Sequence, residues 1–282
     1  MSPVLVVARL TLREASRRWI VAACTAIAVF LVVLSAWGFD HLAHDQTMTS
    51  GEINLAVPQS LILFMFMFSF VVALSASAMA SPAVSADVES GVLYTIVARP
   101  VRRSEILVGK WLGLMAVLFA YAVVVSAAEL GVVDAVSGFL PPGPVAVVLY
   151  LFAEGAILLT LTLAISTRLS AIATGVVAIA LFGSAWLAGV VGSLGAAFNV
   201  SAMVSVGRVA RYLLPTDGLW HGAIYYLEPH SFVAQRLAES TEARDNPFFS
   251  TAPPSATYLV WAAVWFLAVL VTGLVSFQRR EL

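Results

Sequence analysis

Six almost uncharged, continuously apolar runs dominate the chain, each about as long as a bilayer is thick. A helix crosses a hydrocarbon core of about 30 Å with about 20 residues rising 1.5 Å each. The runs are Ile20 to Phe39, Val57 to Ala80, Trp111 to Ala128, Val145 to Thr167, Ile172 to Leu194 and Tyr258 to Phe277. The second lies in a stretch free of charge from Glu52 to Asp87, and the stretch holding the fifth stays uncharged up to Arg208. None alternates with the period of two that barrel strands require, so the runs predict helices. Ahead of them, Arg9, Arg13 and Arg17 recur at i, i+4 and i+8, with Leu5, Ala8, Leu12 and Ala15 largely on the other face. That spacing predicts a helix lying in the interface, its arginines at lipid headgroups and Trp19 at the level of an aromatic belt. The expected fold is an all-α polytopic membrane protein: one amphipathic interfacial helix plus six transmembrane helices.

Composition agrees and excludes a water-soluble fold. Of 282 residues, 61% are hydrophobic and 11% charged, against about 25% charged in soluble domains. No basic tract suits nucleic acid. Cys24 is the only cysteine, so one chain offers neither an intrachain disulfide nor a thiolate cluster. The first apolar run follows arginines as a signal peptide would, but it is too long for an h-region and lacks a cleavage site, so it reads as a retained span.

The distribution of charge sets the direction of the spans. With six spans both termini share a side, and Lys and Arg in short loops favour the cytoplasm. Arg9, Arg13, Arg17, Arg18, Arg99, Arg102, Arg103, Lys110, Arg168, Arg279 and Arg280 would be cytoplasmic, leaving Arg208, Arg211, Arg236 and Arg244 outside. The expected location is the cell membrane with both termini inside. The organisation expected is one transmembrane domain over residues 1–282: an interfacial elbow over 1–19, five spans over 20–194, an extracytoplasmic segment over 195–256, and the last span with its tail over 257–282.

Between the second and third spans lies the most informative stretch, Ser81 to Lys110, with the segment 84–104 inside it. Val84 to Ala98 is read as a short helix with Asp87 and Glu89 near its start, where they complement the helix dipole. Pro100 ends it, Ser104 is placed to cap the next helix with Glu105 in its first turn, and Arg99 to Arg103 form a charged corner. In this stretch Glu89, Gly91 and Leu93, then Arg99-Pro100-Val101-Arg102, then Gly109-Lys110 follow in order.

These residues resemble the segment that the ABC-2 type permease family carries between its second and third spans. Val92 departs from the family pattern, which has threonine there. The resemblance covers nearly the whole chain and implies the transmembrane subunit of an ATP-binding cassette exporter, two six-span permeases (identical or related) working with an ATPase dimer. Asp87, Glu89, Gly91, Arg99, Pro100, Arg102, Arg103 and Glu105 are the implied coupling residues, inserting into a cleft on the ATPase. An ordinary solvated loop whose arginines only fix orientation is the bland alternative. ATP and Mg would belong to the partner, because this chain has no Gly-x-x-x-x-Gly-Lys-Ser/Thr phosphate loop and Lys110 is followed by Trp111. No cofactor, metal site or enzyme activity is expected of this chain alone.

The second span carries Leu63-Phe-Met-Phe-Met-Phe-Ser-Phe70, then slender residues from Ala73 to Ala80. Phe64, Met65, Met67 and Phe68 are adaptable lining for a hydrophobic substrate, or equally ordinary packing. The family resemblance implies that spans two and five flank the substrate path between two copies. Met65 and Met67 point to different faces, which is poor for copper. Glu154 stands alone among ionisable residues deep in a span, and a carboxyl there needs a partner or has a task in binding or gating. Glu129, at the outer end of span three, needs no special account.

In the outer segment, Leu213-Leu-Pro-Thr-Asp217 is read as a helix break with Thr216 or Asp217 capping the next helix. This motif resembles that of the copper-processing, nitrous-oxide-reductase-maturation branch of the family. His221 and His230 are badly spaced for one metal. Two other readings stay open. One is a non-transporting mechanical or signalling subunit acting on an outside partner. The other is a membrane-embedded enzyme, for which Glu154 and a histidine would have to converge.

Overall fold

The computed structural model describes residues 2–15, 19–44, 47–89, 102–229 and 246–280. Its elements are α1 (Pro3–Ala15), α2 (Trp19–Ala43), α3 (Ser50–Ala80), α4 (Pro82–Glu89), α5 (Arg103–Ser137), α6 (Pro144–Ser166), α7 (Ala171–Ala197), α8 (Ser201–Leu213), α9 (Thr216–Leu227) and α10 (Ala256–Gln278). Among the described residues, six helices are long and apolar enough to cross a membrane. They are α2, α3 with its continuation α4, α5, α6, α7 and α10, and no strand occurs among the described residues. The chain is an all-α, multi-pass membrane protein.

Two spans run well past the apolar cores read from the sequence. The third begins at Arg103 rather than Trp111 and ends at Ser137 rather than Ala128. The second begins at Ser50 because Thr49 and Glu52 cap each other. The Thr49 amide donates to Glu52 Oε2 at 2.7 Å and the Glu52 amide donates to Thr49 Oγ1 at 3.4 Å. Such a reciprocal cap starts a helix before its sequence becomes apolar. At the other end of α3, Ser81 keeps helical dihedrals of −57° and −44°, so α4 carries on from it.

The centre of the bundle is formed by α3, α5 and α6. Leu61, Met65, Phe68, Ala76, Leu118, Leu158 and Leu159 are fully buried there. Gly155 lets α6 approach closely, since a Cβ at that position would come within 2.9 Å of Val72. The remaining spans lie outside this core. Val29, Phe30, Val33 and Trp37 on α2 and Ile172, Val176 and Leu187 on α7 stay exposed, as lipid-facing or subunit-facing side chains do.

Helix α1 packs along the start of α5. Thr11 and Ala15 are buried and Val4, Val7 and Ala8 half-buried, against Gly109 and Gly113. A Cβ at Gly113 would lie 2.6 Å from the Ala8 carbonyl oxygen, and one at Gly109 2.8 Å from that of Val4. This small-x-x-x-small pair gives α1 its seat. It also corrects the face read from the sequence: Ala8 and Ala15 turn inward, whereas Leu5 and Leu12 are 54% and 40% exposed beside the arginines. Gly113→Leu, made with Ala8→Cys and Cys24→Ala, is expected to unseat α1 and raise maleimide labelling at position 8 about tenfold, the backbone contact leaving no room for the side chain.

After α7 the chain doubles back. Asn199 takes a left-handed φ of 55°, a conformation asparagine tolerates, and α8 returns antiparallel along α7. Gly195 meets Met203, and Gly192 meets Gly207 so closely that a Cβ on Gly207 would lie 2.6 Å from the Gly192 Cα. Helix α9 then climbs along α6, Gly222 against Tyr150 and Tyr226 against Gly143. Trp220 and Ile224 enter the core around Phe66. Residues 201–227 therefore form a helical hairpin set among the spans.

Candidate functional site

One end of the bundle collects α1, the α3–α4 junction, the start of α5 and the ends of α6 and α10. Helix α5 starts two residues earlier than the sequence suggested: Arg102 is its N-cap and Ser104 lies inside it. The capping is supplied by Glu105, whose Oε2 accepts from the Arg102 amide at 2.8 Å. A carboxylate so close to the first turn also complements the helix dipole.

Lys110 carries the most consequential polar contact of this end. It is 7% exposed, and its Nζ donates to the Ala83 carbonyl and to Asp87 Oδ2. The pair ties α4 to α5, so the two helices leading into residues 90–101 are held to each other. At the next residue, Trp111 Nε1 donates to Thr160 Oγ1 on α6 at 3.0 Å.

Arginines bind the remaining helix ends together. Arg103 Nη1 donates to the Arg280 carbonyl at 2.6 Å and the Gln278 carbonyl at 3.4 Å. Arg280 Nη1 donates to the Thr167 carbonyl at 2.6 Å. Arg168 reaches Ser276 through Nε at 2.8 Å to the hydroxyl and through Nη2 at 3.1 Å to the carbonyl. The last turn of a helix leaves carbonyls unsatisfied and carries partial negative charge, so guanidinium groups are well suited to it. Spans three, four and six thus share one hydrogen-bonded edge.

The residues singled out for coupling consequently have different situations. Asp87 and Glu105 hold structure, Arg103 is engaged with the end of α10, and Arg102 has an exposed side chain. Glu89 is the last described residue of α4, and Gly91, Arg99 and Pro100, with the rest of the helix expected up to Ala98, lie outside the described residues. Of the interfacial anchors, Arg9 and Arg13 are exposed on α1 and Trp19 is 77% exposed, while Arg17 lies outside the described residues.

The candidate path residues do not share one surface. Met65 and Phe68 are fully buried in the core, Phe64 packs on Phe39 of α2, and Met67 is 43% exposed. Leu63, Met67 and Leu74 instead form an outward stripe on α3, between Phe64 on the α2 side and Phe70, which meets Phe182 of α7. Towards the end carrying α1, the same gap opens into a cavity of about 540 Å³ lined by Trp19, Ile20, Ser77, Ala78, Ile172 and Val176 among others. Glu154 is away from this groove, 3% exposed, and accepts from Ser69 Oγ at 2.8 Å. Glu129 does need an account: it is fully buried and accepts from Ser35 Oγ of α2 at 2.7 Å. Two carboxyl groups therefore cross-link spans, Glu154 joining α6 to α3 and Glu129 joining α5 to α2.

At the far end, Asp217 does not cap α9. Pro215 is the N-cap, and the Asp217 carboxylate is buried and paired with Arg211 Nε at 3.0 Å, with His221 Nδ1 at 3.7 Å. Tyr258 of α10 closes the junction by donating to the Pro215 carbonyl at 3.1 Å. His230 lies outside the described residues, and among those described no group of three metal-ligating side chains occurs.

Reading the sequence alone had missed Lys110 as a brace, Gly113, Arg168, Arg280 and the Arg211–Asp217 pair. A signal existed for the first two: Gly109-x-x-x-Gly113 is a helix-packing spacing, and Asp87 and Lys110 are opposite charges at the facing ends of successive spans. The ties to carbonyls leave no mark in sequence.

A family model for ABC-2 family transporter proteins matches residues 5–282. The chain belongs to that family. Members act as membrane permeases of the ABC-2 transporter type, and the match runs through α1, all six spans and the hairpin alike. Comparison with functionally described proteins gave no significant match.

Proposed function

We propose that this chain is the transmembrane subunit of an ATP-binding cassette exporter, driven by a separate ATPase that docks on the end carrying α1 and the end of α10. That end would be cytoplasmic, in keeping with its arginines. The observation that carries the reading is the Lys110 brace together with the arginine ties. A force reaching α4 and α5 through residues 90–101 would pass on to α6 and α10, because Lys110 ties α4 to α5, Arg103 ties α5 to the end of α10, and Arg280 ties that end to α6. It would tilt spans, which is what coupling by a nucleotide-driven partner demands. Arg102 and Arg99 are the side chains assigned to the docking contact. Arg103 and Asp87 support it from beneath.

The second permease copy would pack along α2 and α7, which flank the Met67 groove and, like α10, leave many large apolar side chains exposed. The groove between them, floored by Leu63, Met67 and Leu74, would form half of a path for an amphipathic or hydrophobic substrate.

Affinity capture of the tagged chain from its native membrane, with co-captured polypeptides identified by mass spectrometry, tests the reading. A polypeptide with a Gly-x-x-x-x-Gly-Lys-Ser/Thr loop is expected at comparable yield. Arg102→Glu should lower that yield about tenfold by setting like charge against the docking surface, while membrane insertion stays normal. Capture without such a polypeptide, or equal yield from Arg102→Glu, would reject the docking role.

A further inference from the structure

The far end of the bundle holds a second cavity, of about 440 Å³, between α7, α8, α9 and residues 246–252. Arg208, Arg211, Tyr212, His221, Ser193 and Thr251 contribute to its wall, and none of its lining residues is acidic. Arg211 commits its Nε to Asp217, which leaves the two terminal amino groups of its guanidinium. His221 engages the Asp217 carbonyl through Nδ1 at 2.8 Å, which leaves Nε2. Arg208 is exposed and has neither an ion pair nor a hydrogen bond among the described residues.

The cavity lies at a telling depth. Helix α7 begins at Ala171, beside the arginine-tied end, and its cavity-lining residues run from Gly189 to Ala196. At 1.5 Å per residue these are about 27 to 38 Å farther along the helix. A hydrocarbon core of about 30 Å gives way to headgroups at that distance. Helix α8 matches this boundary: Val206, Val209 and Leu213 are exposed on one side, while Val204, Arg208 and Arg211 face the cavity on another. The helix thus presents an apolar surface and a cationic one side by side.

We propose that this cavity binds an anionic headgroup, phosphate or carboxylate, carried by an amphiphile at the far leaflet. A guanidinium with free amino groups forms paired, charge-assisted hydrogen bonds with such an oxyanion. Arg208 and Arg211 supply two, three positions apart on one helical face, and His221 and Thr251 add donors from α9 and the following segment. The site goes beyond the exporter reading and does not depend on docking of an ATPase.

Titration of the full chain in dodecyl maltoside tests the proposal, with tryptophan fluorescence as the readout. The probes are dioctanoyl phosphatidic acid, dioctanoyl phosphatidylcholine and inorganic phosphate. Saturable binding of phosphatidic acid is expected, and Arg208→Gln should weaken it about tenfold, with Arg208→Glu weaker still, through loss of charge-assisted contacts. Arg208 is exposed and unpaired among the described residues, so both variants should melt as the parent does. If inorganic phosphate competes at similar concentration, the site recognises the free anion; if it does not, the site recognises the lipid headgroup. Absence of saturable binding by either anion, equal binding of phosphatidylcholine, or an unchanged affinity in Arg208→Gln would overturn it.

Discussion

Lys110→Met is expected to destabilise the chain by about 3 kcal/mol, because it leaves Asp87 without its buried cation. The methionine has nearly the same length and volume, so the loss would come from charge and not from packing. Asp87→Asn should cost less, since the amide oxygen still accepts a hydrogen bond from the ammonium, which also keeps the Ala83 carbonyl. The pair Asp87→Asn with Lys110→Met should recover much of the loss, as expected when an isolated charge rather than an unfilled volume causes the damage. Apparent melting temperatures of the three variants in detergent, set against the parent, give the coupling. Additive effects would mean that the two side chains act separately and that α4 is not braced on α5. A second readout is ATPase stimulation in reconstituted complexes, which should fall with Lys110→Met even below its melting temperature if the brace transmits force.

Gly207→Val should be comparably severe. The Cβ it adds would meet the Gly192 Cα at 2.6 Å and the Ala188 carbonyl oxygen at 3.0 Å. Both are main-chain atoms, so the helices must separate, at a cost of about 3 kcal/mol. Gly131→Ala supplies the matched control. Nothing lies within 4 Å of a Cβ there, so the exchange should be neutral or stabilise α5 by up to about 1 kcal/mol through helix propensity. Melting curves for the two variants decide the matter. Equal stability of Gly207→Val and the parent would show that α8 does not depend on that contact.

Much of this architecture was legible beforehand, because lipid is a demanding solvent and long apolar runs have few uses. The fourth, fifth and sixth spans match the runs to within about three residues at each end. The second and third do not, and for a physical reason. Their ends leave hydrocarbon but remain helical, held by Thr49 with Glu52 at one and by Glu105 and Lys110 at another. Hydropathy reports the solvent of a residue, whereas capping and ion pairing decide where a helix stops.

The polar contacts were less legible. Glu154 was visible as a carboxyl in need of a neighbour, but Ser69 is 85 positions away and unmarked by any motif. Glu129 looked peripheral from its place in the run and is fully buried because α2 covers it. Asp217 looked like a cap from its place after proline. Arg211, one helix back, binds it instead, and the break at Pro215 brings the two together.

Within the α8–α9 hairpin, α8 rests on α7 through glycine, and α9 rests on α6 through Tyr150 and Tyr226. Spans four and five are therefore clasped at this end by a short piece of chain with no slack between its arms. Should those spans swing apart during a working cycle, one seam has to slide or release while the other keeps its grip. The glycine side, lacking interlocked side chains at its closest point, is where shear would meet least resistance.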